Sequence, residues 1–169
     1  VYKRQFQRFS TPILTLAVIA FGMAALATIP GRADETEGDV IKARQERMKA
    51  IGGAVTGLVD MMKGKKPYTA EAAKNHALTI ATKSDGVTKL FPNQSLSDKS
   101  EALPAIWESW EEFETLANEV NGKANTLAAA VDTAGDSDAF PEAVQAAFLD
   151  MTKTCKSCHT KFRQKKEEE

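Results

Sequence analysis

Along most of this chain apolar residues return at alternating steps of three and four, the spacing that lines one face of an α-helix. From Ile41 the stripe runs through Met48, Ile51, Val55, Leu58 and Met62, with Arg44 set on the same line. Gly64-Lys65-Lys66-Pro67-Tyr68 breaks it, and Thr69, with Glu71 soon after, has the character of an N-cap opening a second helix. Ala73, Ala77, Ile80, Val87 and Leu90 face inward there. Phe91-Pro92-Asn93-Gln94-Ser95 ends that helix, and a polar irregular stretch continues to Leu103. Pro104 suits the first turn of a third helix, whose inward positions are Ile106, Trp110, Phe113, Ala117, Val120, Ala124, Leu127 and Val131. Gly122 is its weak point. After a turn over Asp132 to Asp138, the last helix repeats the pattern at Val144, Phe148, Met151, Cys155, Cys158 and Phe162, ahead of a charged tail. No segment alternates with the period of a strand.

Four amphipathic helices joined by mostly short connections bury their stripes together as an antiparallel up-down bundle, so the predicted fold is all-α, a four-helix bundle. Residues 34–169 are enough for one such core.

The start of the chain reads differently. Residues 1–33 carry Lys3, Arg4, Arg8 and Arg32 and no acid, and an uncharged apolar run from Ile13 to Ala27 lies between the basic groups. A basic start, an apolar middle and small residues at Gly31 and Ala33 are the order of a secretory signal peptide over residues 1–33, cut ahead of Asp34. An uncleaved membrane anchor over residues 9–31 is the alternative. Either way a mature domain at 34–169 works outside the cytoplasm, in the periplasm, and any cofactor joins it there. Of 22 basic and 23 acidic residues, 18 and 23 then remain, so this domain is acidic and offers no general electrostatic reason to bind nucleic acid.

Chemistry concentrates at one point on the last helix. The chain holds two Cys and two His, and three of these four make Cys155-Lys156-Ser157-Cys158-His159. Cys-x-x-Cys-His is the attachment pattern for haem c: two thiols add to the two porphyrin vinyl groups and the adjacent imidazole ligates iron. Helical spacing puts Cys155, Cys158 and His159 at neighbouring points of one face, and the two cysteines also belong to the apolar stripe. A thioredoxin-like dithiol would need a strand leading into a helix N-terminus. Zinc would need a fourth ligand, with only His76 left to supply it. A disulfide across three helical residues has unsuitable geometry. One covalently bound haem c is the cofactor the motif implies.

A single such motif near the end of a four-helix chain resembles the class II c-type cytochromes, cytochrome c′ and its low-spin, methionine-ligated relatives. Arg44-Gln45 and Met48, Lys63-Gly64-Lys65-Lys66-Pro67-Tyr68, Phe91-Pro92, Pro104-Ala105-Ile106-Trp107 and Phe162-Arg163 also resemble landmarks of that family. The resemblance implies a haem within the bundle, His159 on its solvent-facing side and first-helix residues opposite. It makes Met48 the candidate sixth ligand, since a thioether opposite histidine favours a low-spin carrier of single electrons. Met48 equally fits its stripe as a packing residue, and an open site binding nitric oxide or carbon monoxide is then the alternative function.

An arginine on a core-facing stripe needs an anion, and a haem propionate is the natural one for Arg44, the other reading being a side chain snorkelling at the bundle end. The resemblance extends this role to Gln45 and sets Glu101 near the haem edge. Arg163, four residues beyond His159, falls one turn along the same face, where a cation tunes the proximal imidazole or, on the other reading, is solvated at the helix C-terminus. His76, beside Lys74 and Asn75, reads as exposed, and Trp107, Trp110 and Phe113 as packing core or haem. Redox partner proteins, small gaseous ligands and a homodimer are the partners expected, and no catalytic turnover is required.

Overall fold

The computed structural model describes residues 36–164. The expected signal peptide or anchor, and the tail from Lys165, lie outside the described residues. Helices α1 (Glu37–Met62), α2 (Ala70–Ser84), α3 (Ala105–Glu108), α4 (Trp110–Ala134) and α5 (Glu142–Phe162) account for nearly all regular structure. Four of them are long enough to form the bundle, and α3 is a single turn. Helix α1 packs on α2, α2 on α4, and α4 on α5, with no comparable backbone approach between α1 and α5.

The capping chemistry sets most of the boundaries. Thr36, ahead of the expected stripe, accepts from Asp39 N at 3.3 Å and opens α1. Thr69 caps α2 as expected, accepting from Ala72 N at 3.2 Å. Gly86, in the left-handed region at φ 59°, turns the chain out of α2. Val87 and Leu90 therefore belong to a separate 3-10 turn, Val87–Leu90, and not to α2. The third helix is interrupted at Ser109 (φ −129°, ψ 48°), which splits α3 from α4 without a glycine or proline at that point.

The first stripe is rotated from the expected one. Val40, Ala54, Gly57 and Met61 are buried beside Ile41, Arg44 and Leu58, while Ile51, Val55 and Met62 are half-buried and Met48 is 38% exposed. Gly57 lies on the buried flank: a Cβ there would stand 2.3 Å from Nε2 of His76, so its absence leaves room for the His76 ring against α1. His76 is consequently half-buried between two helices instead of exposed.

The core falls into two clusters. One is centred on Leu58, Ile80, Leu127, Val131, Phe148 and Met151, in the body of the bundle. The other holds Val87, Phe91, Ile106, Phe113, Ala117 and Phe162 at one end. In the end cluster Phe113 meets Phe91 and Phe162 edge to face, at centroid distances of 4.8 and 5.5 Å. Trp107 and Trp110 pack against it as expected, Trp107 donating from Nε1 to Phe91 O at 3.4 Å. The opposite end is closed by Tyr68 on Phe140 at 5.3 Å and by Ala70 N donating to Asp136 at 2.8 Å.

Candidate haem site

Cys155 and Cys158 meet different halves of the core. Cys155 packs against the body cluster and Cys158 against the end cluster, so the motif straddles the place where the two part. Both thiols are free and half-buried. Burial raises the Cys155 thiol, and burial together with its neighbour pushes Cys158 up to about 11. Neutral sulfurs sit on an apolar stripe at little desolvation cost, and they stay neutral once converted to thioethers.

His159 lies on the exposed edge of the same face. Partial desolvation lowers its proton affinity, the Arg163 guanidinium lowers it further, and the Glu101 carboxylate opposes both. The ring is therefore neutral at physiological pH, the state in which an imidazole nitrogen can ligate iron.

The structure corrects one expectation here. Arg163 does not continue the helix: α5 ends at Phe162, and Arg163 is extended at φ −121° and ψ 135°. Its Nε donates to Glu101 at 2.6 Å. Around this pair Leu103 N donates to Phe162 O at 3.0 Å and Gln164 N to Glu101 O at 2.7 Å, a short antiparallel bridge. Glu101 thus reaches the His159 end of α5 through a loop contact that helical periodicity cannot encode.

The other end of that loop is held by α1. Arg44 Nη2 donates to Ser95 O at 2.7 Å, and Gln45 Nε2, on the exposed side, donates to Lys99 O at 2.7 Å. The Arg44 guanidinium is buried over the Phe91 ring, 4.6 Å from its centroid. Burial lowers its pKa, a shift that Glu37 opposes. Its Nε and Nη1 are buried without a hydrogen-bond partner among the described residues. Two orphaned donors on a buried cation are costly unless an anion meets them, and a propionate carboxylate has the charge and the paired oxygens to do so. The donor set, the parted core and the neutral imidazole all fit haem c. Met48, one turn beyond Arg44, belongs to neither packed cluster. His76 is taken up by the α1–α2 contact, and among the described residues no three His, Cys, Asp or Glu side chains are grouped to hold a bare metal ion.

A helical bundle with a cysteine pair and histidine on its last helix, and a buried unsatisfied arginine on its first, defines a c-type cytochrome of the bundle class. The chain belongs to the cytochrome c′ family, whose model matches residues 39–163. Cytochrome c-556 from Agrobacterium tumefaciens (strain II Chrys) is 35% identical over 128 residues, spanning 75% of this chain and 98% of the relative. Cytochrome c prime from Shewanella frigidimarina superposes with a TM-score of 0.70 at 28% identity, over 78% of this chain and 98% of that one. A nitric oxide complex of a variant cytochrome c prime from Alcaligenes xylosoxidans gives a TM-score of 0.67 at 28% identity, over 78% and 98%. The protein is accordingly a monohaem c-type cytochrome of the electron-carrier class, its cofactor covalently attached haem c.

Proposed function

We propose that this protein carries single electrons in the periplasm, with Cys155 and Cys158 forming the thioethers, His159 ligating iron on the exposed side and Met48 on the other. Held in this way, the haem supplies a one-electron iron couple in a water-poor setting. Arg44 binds a propionate through its two unsatisfied donors, and this orphaned pair is the observation that carries the reading. Gln45 and Glu101 hold the loop that covers that edge, with Gln45 on Lys99 O and Glu101 on Arg163. No helix among the described residues is long and apolar enough to cross a membrane.

Ligation by Met48 draws support from its place off the packed core, 38% exposed, which leaves the packing explanation little to work with. Arg44 and Met48 are four residues apart, so both project from one face of α1. A second reading, an open iron site that binds nitric oxide or carbon monoxide, is favoured by the nitric oxide complex of the Alcaligenes xylosoxidans relative.

The absorption spectrum of the reduced holoprotein separates them. A sharp low-spin spectrum that carbon monoxide leaves unchanged is expected, and Met48→Ala should convert it to a broad high-spin one that the gas sharpens. A wild type that already responds to the gas would assign the second reading.

A further inference from the structure

The second half of α5 departs from the charge of the molecule around it. Residues 153–164 contain Lys153, Lys156, Lys161 and Arg163 with no acid, in a domain where acids outnumber bases 23 to 18. Other elements neutralise two of these cations: Lys161 pairs with Glu112, and Arg163 with Glu101. Lys153 and Lys156 are exposed, and among the described residues neither pairs with a carboxylate. Asp150, the one acid nearby on α5, is turned away to Lys123 at 3.1 Å.

Leu149, Lys153, Lys156 and Thr160 follow one another at steps of four, three and four, so they form a single ridge along the outside of the helix. Leu149 is 42% exposed, one of few large apolar side chains on the surface. An apolar anchor in line with two unneutralised ammonium groups has the make-up of a small transient interface. Lys156 directly follows Cys155, and Thr160 directly follows His159. The ridge therefore flanks the attachment motif, so a partner docked on it stands close to the residues that hold the haem, and electron transfer decays steeply with distance.

We propose that this ridge docks the acidic face of a redox partner protein, a proposal that rests on the electron-carrier reading above. The surrounding acidic surface repels such a partner elsewhere and steers it to α5, so the local and net charges predict opposite behaviour toward an anion.

That opposition supplies the test, made on reduced holoprotein with hexacyanoferrate(III) and the tris(phenanthroline)cobalt(III) cation as one-electron oxidants. Each takes one electron from ferrous haem, leaving ferric haem and hexacyanoferrate(II) or the cobalt(II) complex. Between about 10 and 150 mM salt, where screening shortens from about 30 to 8 Å, the rate with hexacyanoferrate should fall roughly tenfold. Lys153→Glu with Lys156→Glu should reverse that slope while leaving the haem spectrum unchanged, the sign of the salt dependence and not the absolute rate being the readout. The same reversal at Lys63 and Lys65, at the far end of the bundle, should leave the slope negative. Lys153→Gln with Lys156→Gln should fall between wild type and the charge reversal.

A hexacyanoferrate rate that rises with salt in the wild type, as the net charge dictates, or a slope indifferent to the ridge variants, overturns the docking proposal and leaves the carrier reading standing. Failure of both oxidants to take an electron overturns both. Sedimentation with phosphatidylserine vesicles, or self-association, that the charge reversal abolishes would assign the ridge to a membrane or to a second copy and would also overturn it.

Discussion

Arg44 and Tyr68 are both buried with polar atoms unsatisfied, and the difference between them is chemical. A guanidinium keeps its charge and calls for an anion, whereas a phenol can be traded for a ring of the same shape. Tyr68 Oη has no partner among the described residues, and its ring leans on Phe140. Burial, with help from Asp136, raises its pKa above the ordinary 10.0. A phenol that ionises less readily folded than unfolded contributes stability below about pH 10 that is lost as pH climbs through the raised value. Tyr68→Phe should therefore leave stability at pH 7 unchanged or raise it by about 1–3 kcal/mol, and should flatten the alkaline decline, read from urea midpoints between pH 8 and 11. A larger alkaline loss in the variant would contradict this. Arg44→Gln should leave the thioethers intact but loosen the loop held at Ser95, shown by faster proteolysis between Phe91 and Pro104. The importance of Arg44 was legible in the sequence, because a lone cation on an apolar stripe is conspicuous. Tyr68 looked like an ordinary turn residue, because its burial depends on Phe140, which lies far along the chain.

Among the elements, α1 shows how one missing side chain changes a helix. The three-and-four periodicity was right about its existence and offset in its centre: Ile41, Arg44 and Leu58 are buried, Ile51, Val55 and Met62 pack against the core from its margin, and Gly57 makes room for the His76 ring of α2. Gly57→Ala should cost about 1–3 kcal/mol through overpacking against the His76 ring, measured by thermal unfolding. Combining it with His76→Ala should recover most of the loss, and no recovery would show that the clash lies elsewhere. Cap chemistry was more dependable than stripe phase. Thr69 and Glu71 opened α2 where the pattern put it, because an N-cap bond is local to a few residues. The break at Ser109 had no such local mark, and the end of α5 before Arg163 is drawn by pairing with the 101–103 segment.

At the scale of the whole molecule the core divides at the cysteines, and the loop from Phe91 to Pro104 is clasped by α1 at one end and α5 at the other. The haem-bearing protein should thus protect amides of this loop and of the last turns of α5 far better than a chain made without haem. A Cys155→Ser, Cys158→Ser variant should keep helical circular dichroism yet lose hydrogen-exchange protection first in those segments, with α2 and the middle of α4 the last to exchange. Uniform loss across the bundle would mean that the two clusters unfold as one unit.

Bundle class, the four long helices and the haem motif were carried by the sequence itself, because period, capping and Cys-x-x-Cys-His are all written within a few consecutive residues. The centring of α1, the burial of His76, the departure of Arg163 from its helix and the convergence of Arg44, Glu101 and Cys158 around one loop were decided in three dimensions. Each depends on which residue from another element arrives opposite, and a linear pattern holds no record of that meeting.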